Sequence, residues 1–120
     1  MNVAFLHGLV AATQRALGHD RVGIYASQSQ WTPIMCGDKS FSDVPLWYAH
    51  RDQQAGTFTI LQLVILGSIF DGLLVITAFD DWHTKGIGPF GGWETPTMKQ
   101  YSGSKRMCGI NVDLDYRPGV

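Results

Sequence analysis

The chain has 120 residues, 45% of them hydrophobic and 16% charged. That suffices for one modest domain with a core, not for two, and it excludes a disordered segment. Nine Lys and Arg against ten Asp and Glu leave a formal net charge of −1 with no run of like charge, so no nucleic acid is expected as a partner.

Met1–Leu17 does not read as a signal peptide, because His7, Thr13, Gln14 and Arg15 interrupt its apolar residues and no basic start precedes them. It reads as a helix instead. Asn2 offers an N-cap, Phe5, Leu6, Leu9, Val10, Thr13, Ala16 and Leu17 fall on one stripe, and Gly18 supplies a left-handed end. Arg21–Ala26 is predicted to be a short buried strand. Ser27-Gln28-Ser29 then caps a short helix through Trp31 and Met35, with Pro33 tolerated near its first turn. After a polar loop, Cys36–Val44, a second buried strand runs over Pro45–His50 with Pro at its start, where no ladder donor is needed.

The stretch 58–79, FTILQLVILGSIFDGLLVITAF, is long enough to cross a bilayer. Asp71 near its middle costs about 2.5–3.5 kcal/mol on insertion scales and no basic cluster flanks it, so a membrane partner is not the favoured reading. Two apolar strands, Thr59–Leu66 and Leu73–Phe79, joined by a turn at Asp71-Gly72, fit the same residues, as does a buried helix broken at Gly72. Asp80-Asp81 follows as a helix or turn cap. Met98–Tyr101 and Ile110–Asp115 complete the strands, and the order helix, strand, helix, strand, strand, strand is that of an α/β protein with a mainly parallel sheet.

Tyr25, His50, Tyr101 and Asp113 fall at or near the carboxyl ends of these strands, the face on which β/α barrels bind substrate. Packing is the bland alternative for each, and only their coincidence favours a site. The spacing of Cys36 and Cys108 allows one disulfide or two separate thiols. No CxxC or His/Cys cluster suggests zinc, so neither a metal nor a cofactor is expected.

Three blocks in order carry a family pattern: VGIYASQSQW at 22–31, PLWYAHRD at 45–52, and FGGWETPTMKQYSG with CGINVDLDY across 90–116. They resemble the C-terminal half of family 25 glycoside hydrolases, most closely the protist and nematode branch. The resemblance implies a lysozyme (N-acetylmuramidase) that hydrolyses the β-1,4 links of bacterial peptidoglycan, so the glycan strand is the implied partner. It implies a partial (β/α) barrel, about the last four strands with intervening helices, over a single partial domain at 1–120. On that pattern an apolar insertion occupies about 56–78, of the kind an unspliced intron leaves.

Residue by residue, Tyr25, Trp47, Gln100 and Tyr101 match the family's glycan groove, His50 falls beside it, and Asp113 matches a supporting active-site carboxylate. The family's Asp-x-Glu acid pair matches nothing in these residues, and the sole glutamate, Glu94, matches no catalytic position. The chain alone is therefore expected to be inactive. The alternatives are a non-catalytic glycan-binding or vestigial module and a membrane-tethered fragment using 58–79. Arg51 stands where the family usually has Tyr. Cys36 and Cys108 lie where secreted members often carry cysteines, which implies a disulfide. The resemblance also implies an extracellular or lysosomal location, and open sheet edges imply self-association.

Overall fold

A computed structural model describes residues 1–52, 56–65, 68–79 and 81–118. The first helix, α1, spans Asn2–Leu17, and Met1 rather than Asn2 is its N-cap. The Asn2 side chain instead ties α1 to the next helix, its Nδ2 donating to the Ile34 carbonyl at 2.9 Å. Gly18, at φ 93°, closes α1 by donating its N–H to the Gln14 carbonyl at 2.9 Å.

The expected stripe of α1 is only partly buried. Val10 is buried, with Val3 and Leu6 packed beside it, whereas Phe5 is 72% exposed and Leu9 and Leu17 are also exposed. Apolar residues run around most of this helix, so periodicity alone cannot choose the inward face. The ring of His7 stacks on Phe41, 4.1 Å between centroids.

A single 3-10 turn, His19–Arg21, leads into β1, Ile24–Ala26. The second helix, α2, covers Gln28–Met35 and buries Trp31 and Met35, as their spacing predicts. Ser27 is its N-cap, but the Ser27 hydroxyl bonds to Ser29 and Gln30 side chains, and it is the Ser27 carbonyl that accepts from the N–H groups of Gln30 and Trp31. Next comes β2, Leu46–Ala49, then β3, Gly56–Ile65, β4, Ser68–Ala78, β5, Met98–Met107, and β6, Ile110–Tyr116.

Four of these strands form one sheet in the order β1-β2-β5-β6. Parallel neighbours β1, β2 and β5 are aligned by the pairs Tyr25↔Trp47 and Trp47↔Met98, while β6 returns antiparallel beside β5. The α/β, mainly parallel expectation therefore holds, as a mixed four-stranded open sheet. The strand at Met98 runs on to Met107, well past Tyr101, because it forms a hairpin with β6. Tyr101 and Asp113 consequently lie within strands and not at their carboxyl ends.

The apolar stretch is neither of the two helices considered for it. Its described residues form a two-stranded antiparallel sheet, β3-β4, from Gly56↔Ala78 to Ile65↔Ser68. Asp71-Gly72 is not the turn but lies within β4, at a register shift between Leu61 and Leu63, where a glycine accommodates the extra residue of a bulge. Leu66, expected to end the first strand, lies outside the described residues. No helix among the described residues is long and apolar enough to cross a membrane.

Aromatic residues fill the core beneath the main sheet. Trp31 meets Trp93 at 4.9 Å, Phe90 meets Trp93 at 5.6 Å, and Trp82 meets Tyr48 at 5.1 Å. Burying a side chain of this size contributes roughly 1.5–3 kcal/mol, provided its polar atom is satisfied. Each indole N–H is: Trp31 donates to the Asp38 carbonyl, Trp82 to Glu94 and Trp93 to Val44, at 2.9, 2.8 and 2.7 Å. The FGGW turn is tight for the same reason. A Cβ on Gly91, at φ 58°, would fall 2.3 Å from the Trp93 ring.

Candidate functional site

Alternation along the parallel strands sends neighbouring residues to opposite faces. Ile24, Ala26, Leu46 and Tyr48 face the aromatic core and are buried; Tyr25 and Trp47 face the other way. On β5 the adjacent residues Lys99 and Gln100 divide in the same manner, and a separate polar network grows around each.

On the open face, Gln100 is the centre. It is 3% exposed, and its Oε1 accepts from the Tyr25 hydroxyl at 2.7 Å and from Arg51 Nε at 3.2 Å. Its Nε2 donates to Asp113 Oδ2 at 3.0 Å. Two donors on one side and a carboxylate on the other fix the amide orientation. The other Asp113 oxygen accepts the Ser104 N–H at 2.7 Å.

Asp113 is brought here by two irregularities in the hairpin. The ladder slips between Gln100 and Ser102 and again between Ser102 and Lys105, each time with the extra residue on β5. Ser104 takes a left-handed φ of 56° in the second bulge and so aims its N–H at Asp113.

Tyr25 and Trp47 lie edge to face at 4.7 Å, and the Trp47 indole donates to Asp115 Oδ1 at 3.1 Å. Burial and the neighbouring Asp113 charge push the Asp115 carboxyl up, against the lowering effect of the Trp47 bond. A cleft of about 390 Å³ opens at the amino ends of β1, β2 and β5, lined among others by Arg21, Tyr25, Trp47, Thr97, Met98 and Arg117; Gln100, Arg51 and Asp113 do not line it.

On the core face the centre is Lys99, whose side chain is 0% exposed. Its ammonium reaches Asp52 Oδ2 at 2.8 Å and Asp81 Oδ2 at 3.0 Å. Asp81 also accepts from the Tyr48 hydroxyl at 2.5 Å and pairs with His50 Nδ1. Burial alone would push the Asp81 carboxyl up; bonds from Tyr48, Lys99 and His50 outweigh it and hold the carboxyl below its ordinary value. His50, Asp52 and Asp81 are metal-ligand residue types in one cluster. The Lys99 ammonium already stands among their oxygens, and it supplies there the positive charge that a metal ion would bring.

The structure thus brings Tyr25, Trp47, Gln100 and Asp113 together on one face. It places His50 in the Lys99 network instead, and Tyr101 stands at the first bulge outside these bonds. Asp81 is no cap, since its carboxylate serves this network, and Asp80 lies outside the described residues. Sequence reasoning missed Lys99, Asp52 and Arg51 as network members. Lys99 is the register partner of the buried Tyr48, and the one signal in the sequence was a lysine set inside a predicted strand.

The expected disulfide is not formed, for Cys36 and Cys108 are both free and exposed. Cys36 closes α2 in a left-handed conformation, whereas Cys108 sits in the turn of the β5-β6 hairpin. At about 3.3 Å of rise per residue, β5 carries Cys108 well beyond Gln100, where its pairing with β2 ends. Glu94 is exposed, and only its backbone carbonyl takes part, receiving Trp82.

The family described as Lysozyme-like protein 1 matches residues 1–59. Among curated proteins, "Probable GH family 25 lysozyme 4" of Dictyostelium discoideum is 36% identical over 117 residues, which is 98% of this chain and 41% of that protein. "Probable GH family 25 lysozyme 2" of the same organism is also 36% identical over 117 residues, 98% of this chain and 42% of its own length. Counting factor 50, again from that organism, is 36% identical over 95 residues, 79% of this chain and 23% of its own. No solved structure matches the chain. The chain is a sequence relative of the family 25 lysozymes along nearly its whole length, and it spans about two fifths of theirs.

Proposed function

We propose that the chain forms the glycan-binding side of a lysozyme-type muramidase, and that these 120 residues alone bind bacterial peptidoglycan without cleaving it. The observation that carries this reading is the Tyr25–Gln100–Asp113 chain beside the Tyr25–Trp47 aromatic pair. Aromatic faces stack on the CH groups of a sugar, and a held amide and carboxylate read its hydroxyl or N-acetyl groups. Hydrolysis needs a proton donor and a second carboxylate flanking the bond. Here Asp113 is held by two donors, a supporting carboxylate rather than an acid.

A partial barrel is part of the same proposal. The outer edge of β1 and the exposed Phe5 and Leu9 of α1 are where further β/α units of a barrel would pack, and they are also the surfaces through which copies would self-associate. Action on bacterial walls outside the cell or in lysosomes is the setting this chemistry suits.

The decisive experiment incubates purified chain with insoluble peptidoglycan, measuring both co-sedimentation and released reducing ends. Co-sedimentation without release is expected, and Gln100→Ala should abolish it. Release by the chain alone would refute the assignment of Asp113 as a support; no co-sedimentation would remove the glycan reading.

A further inference from the structure

Resting on that glycan-binding reading, we propose that Arg51 selects a carboxylate-bearing glycan over a neutral one. Arg51 follows β2 and is exposed, and its side chain bonds back to the sheet. Its Nε donates to Gln100 Oε1 at 3.2 Å, so it is tied to the same amide that holds Tyr25 and Asp113. It also lies against the backbone of Gly103, between the two bulges of β5. A Cβ at Gly103 would stand 2.7 Å from Arg51 Nε, 2.8 Å from Cζ and 2.9 Å from Cδ. Only glycine leaves the guanidinium this position.

The acids nearby are already engaged by other donors. Asp113 is held by Gln100 and Ser104, Asp115 by Trp47, Asp52 by Lys99, and Asp81 by Lys99, Tyr48 and His50. None forms an ion pair with Arg51 among the described residues. A guanidinium anchored through Nε keeps its terminal nitrogens as a planar fork of donors, which matches a carboxylate in two parallel bonds. A neutral sugar cannot use both arms with full charge. The shared ligand chemistry is therefore a carboxylate carried on an amino-sugar chain, either on the sugar's own lactyl ether or on an attached peptide.

The experiment titrates the chain and its Arg51→Gln variant with three probes: peptide-free muramic-acid glycan, the same glycan with its peptides, and chitin oligosaccharides. The chain should bind at least one acidic probe more tightly than chitin. Arg51→Gln should weaken the preferred acidic binding by about tenfold or more, the loss of a charged hydrogen bond, and weaken chitin binding by clearly less, through the donor lost from Gln100. Arg51→Lys, which keeps the charge, should keep part of the preference, and Gly103→Ala should lose it as Arg51→Gln does. A loss confined to the peptide-bearing probe assigns the carboxylate to the peptide; a loss confined to the peptide-free glycan assigns it to the lactyl group, whose carboxylate becomes an amide once the peptide is attached; a loss on both shows that Arg51 takes either. Equal weakening of all three probes would show that Arg51 only positions Gln100, and an unchanged variant would show that it reads nothing; either overturns the proposal. If the chain itself binds none of the probes, the glycan reading falls and this inference with it.

Discussion

The two faces of the main sheet use similar residues to opposite ends. Lys99 and Gln100 are adjacent and nearly inaccessible; Lys99 holds two carboxylates, one of which also accepts from Tyr48, whereas Gln100 holds one carboxylate and accepts from Tyr25. Beneath the sheet, Lys99 joins Asp52, Asp81, His50 and Tyr48 at the border of the aromatic core, where the ammonium is shut off from solvent while His50 and Asp52 stay partly exposed. Above it, Gln100 joins Tyr25, Arg51 and Asp113, whose outer atoms stay open to a ligand. A charged centre suits the face where every partner is internal. A neutral amide suits the face where the last partner comes from outside, since it binds donors and acceptors alike without a large desolvation cost.

The largest effect expected from breaking this contrast is on the core side. Lys99→Met keeps the volume but leaves Asp52 and Asp81 without their ammonium, and should cost about 3–5 kcal/mol in urea unfolding. Adding Asp81→Asn should recover part of that loss; full stability in Lys99→Met alone would mean that the carboxylates find another partner.

Acid should act on the same face. The folded Asp81 carboxyl titrates below its ordinary value of 3.8, so the unfolded chain takes up a proton first as pH falls. Its stabilising contribution is complete above the ordinary value and is lost as pH drops through the depressed one. Urea midpoints followed from about pH 6 downward should decline more steeply for the wild-type chain than for Asp81→Asn; parallel profiles would detach Asp81 from acid sensitivity.

The smallest effect sharpens the open face. Tyr25→Phe removes one hydroxyl from Gln100 and should cost only about 0.5–1.5 kcal/mol of stability. Glycan binding measured by calorimetry should fall more than stability does. Equal losses in both would make the Tyr25 bond structural.

Much of the arrangement is legible in the sequence, and what is not has physical causes. Strand alternation separates Tyr25 and Trp47 from their buried neighbours, and the block pattern points to Gln100 and Asp113. His50 falls in the other network because a residue just past a strand end has no alternation to place it. Asp81 escapes because its partners lie on strands far away in the chain. The α1 stripe includes residues that prove exposed, since Phe5 and Leu9 are as apolar as Leu6 and Val10. The disulfide rests on family blocks, which say nothing of how far a hairpin projects.

By itself the sequence determined the α/β class and the order of α1, β1, α2, β2 and the last two strands. These follow from local propensity and periodicity, which act over a few residues. Only the tertiary structure decided which lysine is buried, how two bulges swing Ser104 toward Asp113, and that Gly103 makes room for Arg51. Those depend on register and on contacts between residues far apart in the chain, and a shift of one residue in β5 would have exchanged Lys99 and Gln100 between the faces.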